Sequence, residues 1–349
     1  MNEVELLVRN NRFAGWKAFS FKKSINTLAS VFTVEFADKW HESERPWLIN
    51  AGDSATVKIN GESILEGYIG KLQASSSKEE RKLKAIGRDY TGDMVDCSVD
   101  LGKTTWNDID LKKLTEIVAK PFGIKVYCDI DVGKKFGKIA LLEGETPFEI
   151  IERHAKQRGI LFYSDGSNGI ILTNPGSEYD FGVLNEGQNI KSISLTDDKT
   201  ERFSSYTVKG QMSGSNLFSG GKVAHTKSQA TDDVFGGRYR PLLIISETAT
   251  DKKTADARAQ WEASARVAKG YDVTVTVSGW NQLAKGTLWD INKLVPLRAP
   301  SLQIDESLLI KSVTLGYSKN GRETTLELAR VDSFKLQPDI KATGKSFFD

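Results

Sequence analysis

Ala55-Thr56-Val57-Lys58-Ile59-Asn60-Gly61 is the stretch on which the fold class turns. Ala55, Val57 and Ile59 alternate with Thr56, Lys58 and Asn60, so the apolar side chains leave one face of a pleated strand. Asn60-Gly61 offers the two positive φ values of a tight hairpin turn, and residues 64–72 supply the returning strand. Upstream, Phe32, Val34 and Phe36 alternate with Thr33 and Glu35 in the same way. Downstream, the polar run 75–80 makes a second hairpin tip and 82–87 returns as another strand. With a first strand in residues 1–11, the first ~90 residues carry about six strands, as a small antiparallel barrel or sandwich requires.

Past Asp96 the period becomes helical. Leu111, Leu114, Ile117 and Val118 share one helix face, with Asp108 or Asp110 as N-cap and Pro121 marking the end. Thr146, Pro147 and Glu149 spell a capping box with proline in the first turn, and Gly159 closes that helix. Short strands are expected at 124–128, 160–164 and 169–173, before a turn-rich boundary at 174–187.

The third region opens with strands at 190–195 and 205–209, and then residues 211–237, poor in large apolar side chains, read as a long inserted loop. A helix over 254–269 follows, with Trp261 as its large anchor and Gly270 as its stop. Val273, Val275 and Val277 restore the strand alternation. A closing hairpin, 308–317 with 324–331, surrounds Asn320-Gly321, again read as a type I′ turn. The expectation is an α+β, mainly β chain, with two antiparallel β-barrel-like domains (1–96 and 188–336) flanking a small α/β domain (97–187). A tail, 337–349, has few packing residues.

Composition narrows the function classes. Lys and Arg (48) almost balance Asp and Glu (46), which argues against the basic footprint of a nucleic-acid binder. Cys97 and Cys128 stand in no metal or redox spacing, and two thiols in 349 residues suit a reducing compartment. The first residues mix charge with apolar side chains and hold no signal-peptide core, and no apolar run approaches the ~20 residues of a membrane helix. The chain is therefore expected to be made in the cytoplasm, to leave by no signal route and to have no membrane partner.

Glu62-Ser63-Ile64-Leu65 opens a long hairpin ending in Gly87-Arg88-Asp89. Glu306-Ser307-Leu308-Leu309 opens another ending in Arg330-Val331-Asp332, so the first and third regions read as versions of one module. Among possible sites, Asp89, Asp93 and Asp96 match no calcium loop. Pairing with Arg88 and capping of a turn is the structural reading of that cluster. His41, His154 and His225 are scattered, and Glu143, Glu145 and Glu149 sit where acids favour a helix start. No catalytic residue, cofactor or metal site is expected. Trp280 and Trp289 are candidate interface anchors; the alternative for Trp280, which follows a strand, is to fill a barrel end.

The run from Gly87 through Arg88, Asp89, Thr91, Asp93 and Asp96 to Ser98 resembles the baseplate hub family of contractile phage tails, that of Mu-like phages. Ala51-Gly52-Asp53 before the Asn-Gly hairpin, Ser278-Gly279-Trp280 with Leu288-Trp289, and Leu308-Leu309-Ile310 follow in the family's order. The family is also similar to the N-terminal part of type VI secretion spike proteins. The resemblance implies a non-enzymatic homotrimer in the virion tail baseplate, in which two barrel-like domains per chain offer six similar positions to a six-fold tail tube. It implies tube protein on one face and spike on the other, other baseplate proteins around them, and DNA or a tape-measure protein passing without specific binding. The rivals are a tail-associated cell-wall hydrolase and a monomeric glycan- or receptor-binding module.

Overall fold

Asn60 and Gly61 have φ of 54° and 85°, so the turn that decides the fold class is built on two left-handed residues. In the computed structural model, residues 4–9, 11–38, 49–76, 81–176, 178–179, 182–210, 226–245, 252–282 and 286–334 are described. The chain is mainly β and divides into two units, one of residues 1–194 with 273–328 and one of 195–272 with 329–349.

In the first unit the chain begins with β1 (Val4–Val8), β2 (Asn11–Phe13), β3 (Ala18–Ser24), β4 (Val31–Asp38), β5 (Ser54–Ile59), β6 (Glu62–Ser76) and β7 (Arg81–Asp89). Their alternation buries Leu6, Val8, Phe32, Val34, Val57, Leu65, Ile69 and Leu83. Each such side chain contributes about 1.5–3 kcal/mol on leaving water. A small α/β portion follows: α1 (Asp93–Asp96), β8 (Thr105–Ile109), α2 (Leu111–Ala119), β9 (Lys125–Cys128), β10 (Phe136–Ala140), α3 (Pro147–Arg158), β11 (Leu161–Ser164) and β12 (Gly169–Thr173). Of the two N-cap candidates for α2 the structure selects Asp110, which accepts from Lys113 N at 2.8 Å. Both halves of the Thr146–Glu149 capping box are formed, and Gly159 ends α3 at φ 61°. Leu111, Leu114 and Val118 of α2 pack with Ile150, Ile151 and Ala155 of α3 in a core that also takes in Leu28, from the β3–β4 link.

Next come β13 (Glu178–Tyr179), β14 (Leu184–Asn185) and β15 (Ile190–Asp197). The second unit then supplies β16 (Ser205–Gly210), β17 (Thr226–Thr231), β18 (Pro241–Ile245) and α4 (Lys252–Lys269). The chain returns through β19 (Tyr271–Ser278), β20 (Lys293–Ala299), β21 (Ile304–Ser318) and β22 (Gly321–Ala329).

The largest sheet has the order β15-β19-β22-β21-β3-β4-β7-β6-β5-β1-β2, with β20 paired to β21 and to β13 and β14. Two runs of this sheet repeat one topology. In the first, β3, β4, β5, β6 and β7 follow each other in the chain and lie side by side as β3-β4-β7-β6-β5. In the second, β15, β19, β20, β21 and β22 lie as β15-β19-β22-β21-β20. The central strands match in length: β6 and β21 have 15 residues each, β7 and β22 nine, β4 and β19 eight. The echo of Glu62-Ser63 in Glu306-Ser307 thus falls in equivalent strands.

Among the described residues one seam joins the two runs. The first part of β21 pairs with β20, from Leu294↔Leu309 to Ala299↔Ile304, and its later part with β3, from Ser312↔Ser24 to Tyr317↔Phe19. Among the described residues no closed barrel is found; the strands expected of two barrels share one open sheet.

The second unit contains a three-stranded sheet, β17-β16-β18, packed on α4 through Val208, Ala255 and Ala259. Residues 226–231, expected to lie in the 211–237 loop, form β17, which pairs with β16 from Ser205↔Thr231 to Gly210↔Thr226. Its polar sequence hides the strand: Ser228 is buried and bonds Asp256 of α4, and Ala230 is its one side chain packed on the Val208, Ala255 and Ala259 cluster among the described residues. Residues 211–225 of that loop and the tail 337–349 lie outside the described residues, as do His41 and His225. The anchor of α4 also differs from expectation. Ala255, Ala259 and Ala265 form its buried face, while Trp261 is half-buried beneath the Arg258 guanidinium, 5.1 Å away. Asn320-Gly321 is not a type I′ turn, since only Gly321, at φ 96°, is left-handed.

Candidate assembly site

At the end of β7 the chain must leave the sheet and enter the α/β portion, and residues 87–96 manage that exit. Gly87 lies so close to its neighbours that a Cβ would sit 2.4 Å from the Phe32 ring, and at Gly67, opposite Asp89, one would sit 2.0 Å from Arg88 O. The close approach lets Asp89 turn inward, where it is 2% exposed. Its carboxylate accepts from Thr91 N at 3.0 Å and Thr91 Oγ1 at 2.5 Å, capping a 3₁₀ turn over Tyr90–Gly92. It also accepts from Ser30 N at 2.7 Å, which ties the β3–β4 link to the same corner. Burial pushes its pKa above the usual carboxylate value, and these hydrogen bonds pull it back.

Arg88 faces the other way and grips Asp96 with two guanidinium nitrogens, one at 3.1 Å from Oδ1. This holds the Asp96 carboxyl below its usual range. Asp93 opens α1. The three aspartates do not converge, and among the described residues no group of three or more His, Cys, Asp or Glu side chains is placed to hold a metal ion.

Trp280 and Trp289 are buried, at 1% and 5% exposure, so neither offers a contact face in the single chain. Trp280 donates its indole N–H to Gly316 O at 2.8 Å, meets Phe19 edge-on at 5.7 Å and lies under Arg322. Trp289 lines a hollow of about 270 Å³ with Ile190, Lys191 and Val277, and its indole N–H is buried with no partner among the described residues. The acids near α3 are structural in their contacts. Glu145 is buried, accepts from Leu142 N and is held by Arg153 at 2.8 Å, while Glu149 completes the capping box. Buried His154 bonds Ile150 O through Nδ1, and burial lowers its pKa.

Sequence reasoning missed a feature of the sheet itself. Beyond β5, residues 70–76 of β6 are paired on one side with β7 and have no strand on the other among the described residues. At the far end of the sheet, β15 likewise has β19 on one side only. Gly70, Lys71 and residues 73–76 are exposed, and Leu72 and Ile193 are half-buried. Edges of this kind template pairing with another chain unless blocked.

Comparison with known proteins places this architecture. Residues 3–89 match the model of the Mu phage baseplate assembly protein GpP-like N-terminal domain, 91–174 the second domain of baseplate hub protein gp44-like, and 251–337 the fourth domain of GpP. A 43 kDa tail protein of prophage MuSo2 from Shewanella oneidensis is 33% identical, with a TM-score of 0.85 over 96% of this chain and 99% of that one. The chain belongs to the Mu-like baseplate hub family.

Baseplate hub protein gp44 of Escherichia phage Mu is 29% identical to this hub over 344 residues, 95% of this chain and 89% of that protein. The fold extends further. An E. coli component of the type VI secretion system, 11% identical, shares it at a TM-score of 0.54 over 93% of the hub and 76% of that chain. As a family member the protein is a structural component of a phage tail baseplate. No helix among its described residues is long and apolar enough to cross a membrane.

Proposed function

We propose that three copies of this hub form a ring that joins a six-fold tail tube to a three-fold spike. The observation that carries the reading is the repeated strand order of the two runs. A chain with two like modules turns three copies into six like positions on one face, while features unique to either module keep three-fold repetition elsewhere. In this reading the two runs act as barrel-like modules, within 1–96 and 188–336, on either side of the α/β domain 97–187. The family model over 3–89 falls within the first of these domains, that over 91–174 lies mostly within the second, and that over 251–337 covers the later part of the last. The motif 87–96 is the structural pin between the first module and the α/β domain.

The hub works without catalysis, by withstanding load. The contacts of Glu145 with Arg153 and of Glu149 with the Thr146 cap favour that reading over a cell-wall hydrolase. Near-zero net charge suits a channel that lets DNA or a tape-measure protein pass without gripping it. Synthesis in the host cytoplasm fits the two free thiols.

Light scattering on the purified chain at micromolar concentration tests the ring, with a mass three times the 38.6 kDa chain expected. A persistent monomer overturns it. Peptidoglycan release abolished by Glu145→Gln would replace it with the hydrolase.

A further inference from the structure

The seam inside one chain is a template for the contact between chains. In the first run, the outer edge of β3 is covered by the later part of β21, six residue pairs from Ser312↔Ser24 to Tyr317↔Phe19. The strand equivalent to β3 in the second run is β15, and its outer edge has no strand on it among the described residues. The strand equivalent to β21 in the first run is β6. Its later part, 70–76, projects past β5 as the later part of β21 projects past β20, and carries no strand on that side among the described residues. Among the described residues each chain therefore shows one satisfied seam and both halves of a second that has no partner strand.

The geometry points to an antiparallel pairing of residues 70–76 of β6 in one chain with β15 of the next, repeating in trans what β21 and β3 do in cis. The inference rests on the ring proposed above and names the contact that closes it. Such a contact is heterologous, joining one edge to a different edge; contacts of this kind close into rings or run on as open filaments. Burial agrees with it. In the satisfied seam Leu315 and Phe21 are 1% and 6% exposed, whereas Leu72 and Ile193, on the unsatisfied halves, are only half-buried. Both open edges carry a lysine, Lys71 and Lys191, and edge lysines discourage indiscriminate strand addition. Lys191 already bonds Glu323 of β22 and so does not stand in the way of the pairing.

The test is a cysteine pair in the full chain. In a Cys97→Ser, Cys128→Ser background, Gln73→Cys is combined with Ser192→Cys or with Ser194→Cys, positions on exposed faces of the two edges. Facing Cα atoms of antiparallel strands lie about 4.5–5.5 Å apart, within disulfide reach. Under oxidation at least one double variant should give a covalent ladder ending at three chains, and the single variants no ladder. A second arm places Ser75→Pro on one edge, where a lost N–H breaks the ladder. It should yield a folded monomer by light scattering and circular dichroism; if this variant does not fold, the cysteine pairs decide. A wild-type trimer in which neither pair cross-links overturns the edge pairing and leaves the ring standing. A wild-type monomer overturns both.

Discussion

Leu315 on β21 lies directly opposite Phe21 on β3, and the two are buried together although 294 positions separate them in the sequence. This pair sits in the seam that joins the two runs of the sheet. Phe21→Ala should cost about 3–5 kcal/mol and Leu315→Ala about 2–5 kcal/mol in urea unfolding. The double variant should fall short of the sum by about 0.5–3 kcal/mol, since the residues touch. Strict additivity would mean that the seam carries no coupling.

Asp89 gathers two backbone N–H groups and a hydroxyl at a buried corner. Asp89→Ala leaves those donors unsatisfied and should destabilise by about 3 kcal/mol in chemical unfolding. Asp96→Asn, which removes only the exposed partner of Arg88, should change stability by less than about 1 kcal/mol. The two carboxyls also respond oppositely to acid. Asp89 has a raised pKa in the fold, so its contribution is fully present below the ordinary carboxylate pKa and is lost as pH rises through the folded value. Asp96 is depressed, so its contribution is present above the ordinary pKa and is lost as pH falls through the folded value. Comparing each variant with wild type by unfolding between about pH 3 and 7 should show differences of opposite slope.

Burial lowers the His154 pKa from an ordinary value of about 6.5. The unfolded chain takes up a proton there before the fold does. The contribution is present above about pH 6.5 and lost as pH falls toward the folded value. His154→Gln should lower stability at neutral pH yet flatten the decline on acidification, measured as the urea midpoint across that window. An unchanged slope would rule out His154 as its source.

The two buried tryptophans should differ. Trp280→Phe strands Gly316 O and should cost about 1–3 kcal/mol beyond the change in packing. Trp289→Phe removes an indole N–H that has no partner among the described residues, and carries no such extra cost. Thermal unfolding of the two variants side by side would show it. Equal losses would mean that packing alone sets both.

Much of this was legible because it is local. Alternation at 55–59, the Asn60-Gly61 turn and the Thr146 capping box each encode their geometry within a few residues, and each is formed. The sequence reading of Arg88 and its acids also came from neighbours, and the structure pairs Arg88 with Asp96. Strand partnership across long separations is not local. Nothing in 18–24 or 312–317 names the other as its neighbour, so the strand pairing that joins the two expected barrel-like regions in one sheet was not foreseen. β17 escaped for a different reason, since its sequence lacks the apolar period and its buried Ser228 bonds a helix residue far along the chain. Trp280 and Trp289 were legible as important residues, but the sequence could not choose between an interface and the interior, because an aromatic side chain carries the same signal in both.

The joint between the first two strands of each run has met two fates. Between β3 and β4 it is a short link, 25–30, whose Leu28 is sunk in the α/β core and whose Ser30 is clasped by Asp89. Between β15 and β19 the same joint has opened to admit a sheet and a helix. A fluorophore or affinity handle spliced into the first joint would tear Leu28 from its socket. The later joint has already shown that it can carry a guest, and an engineer should begin there.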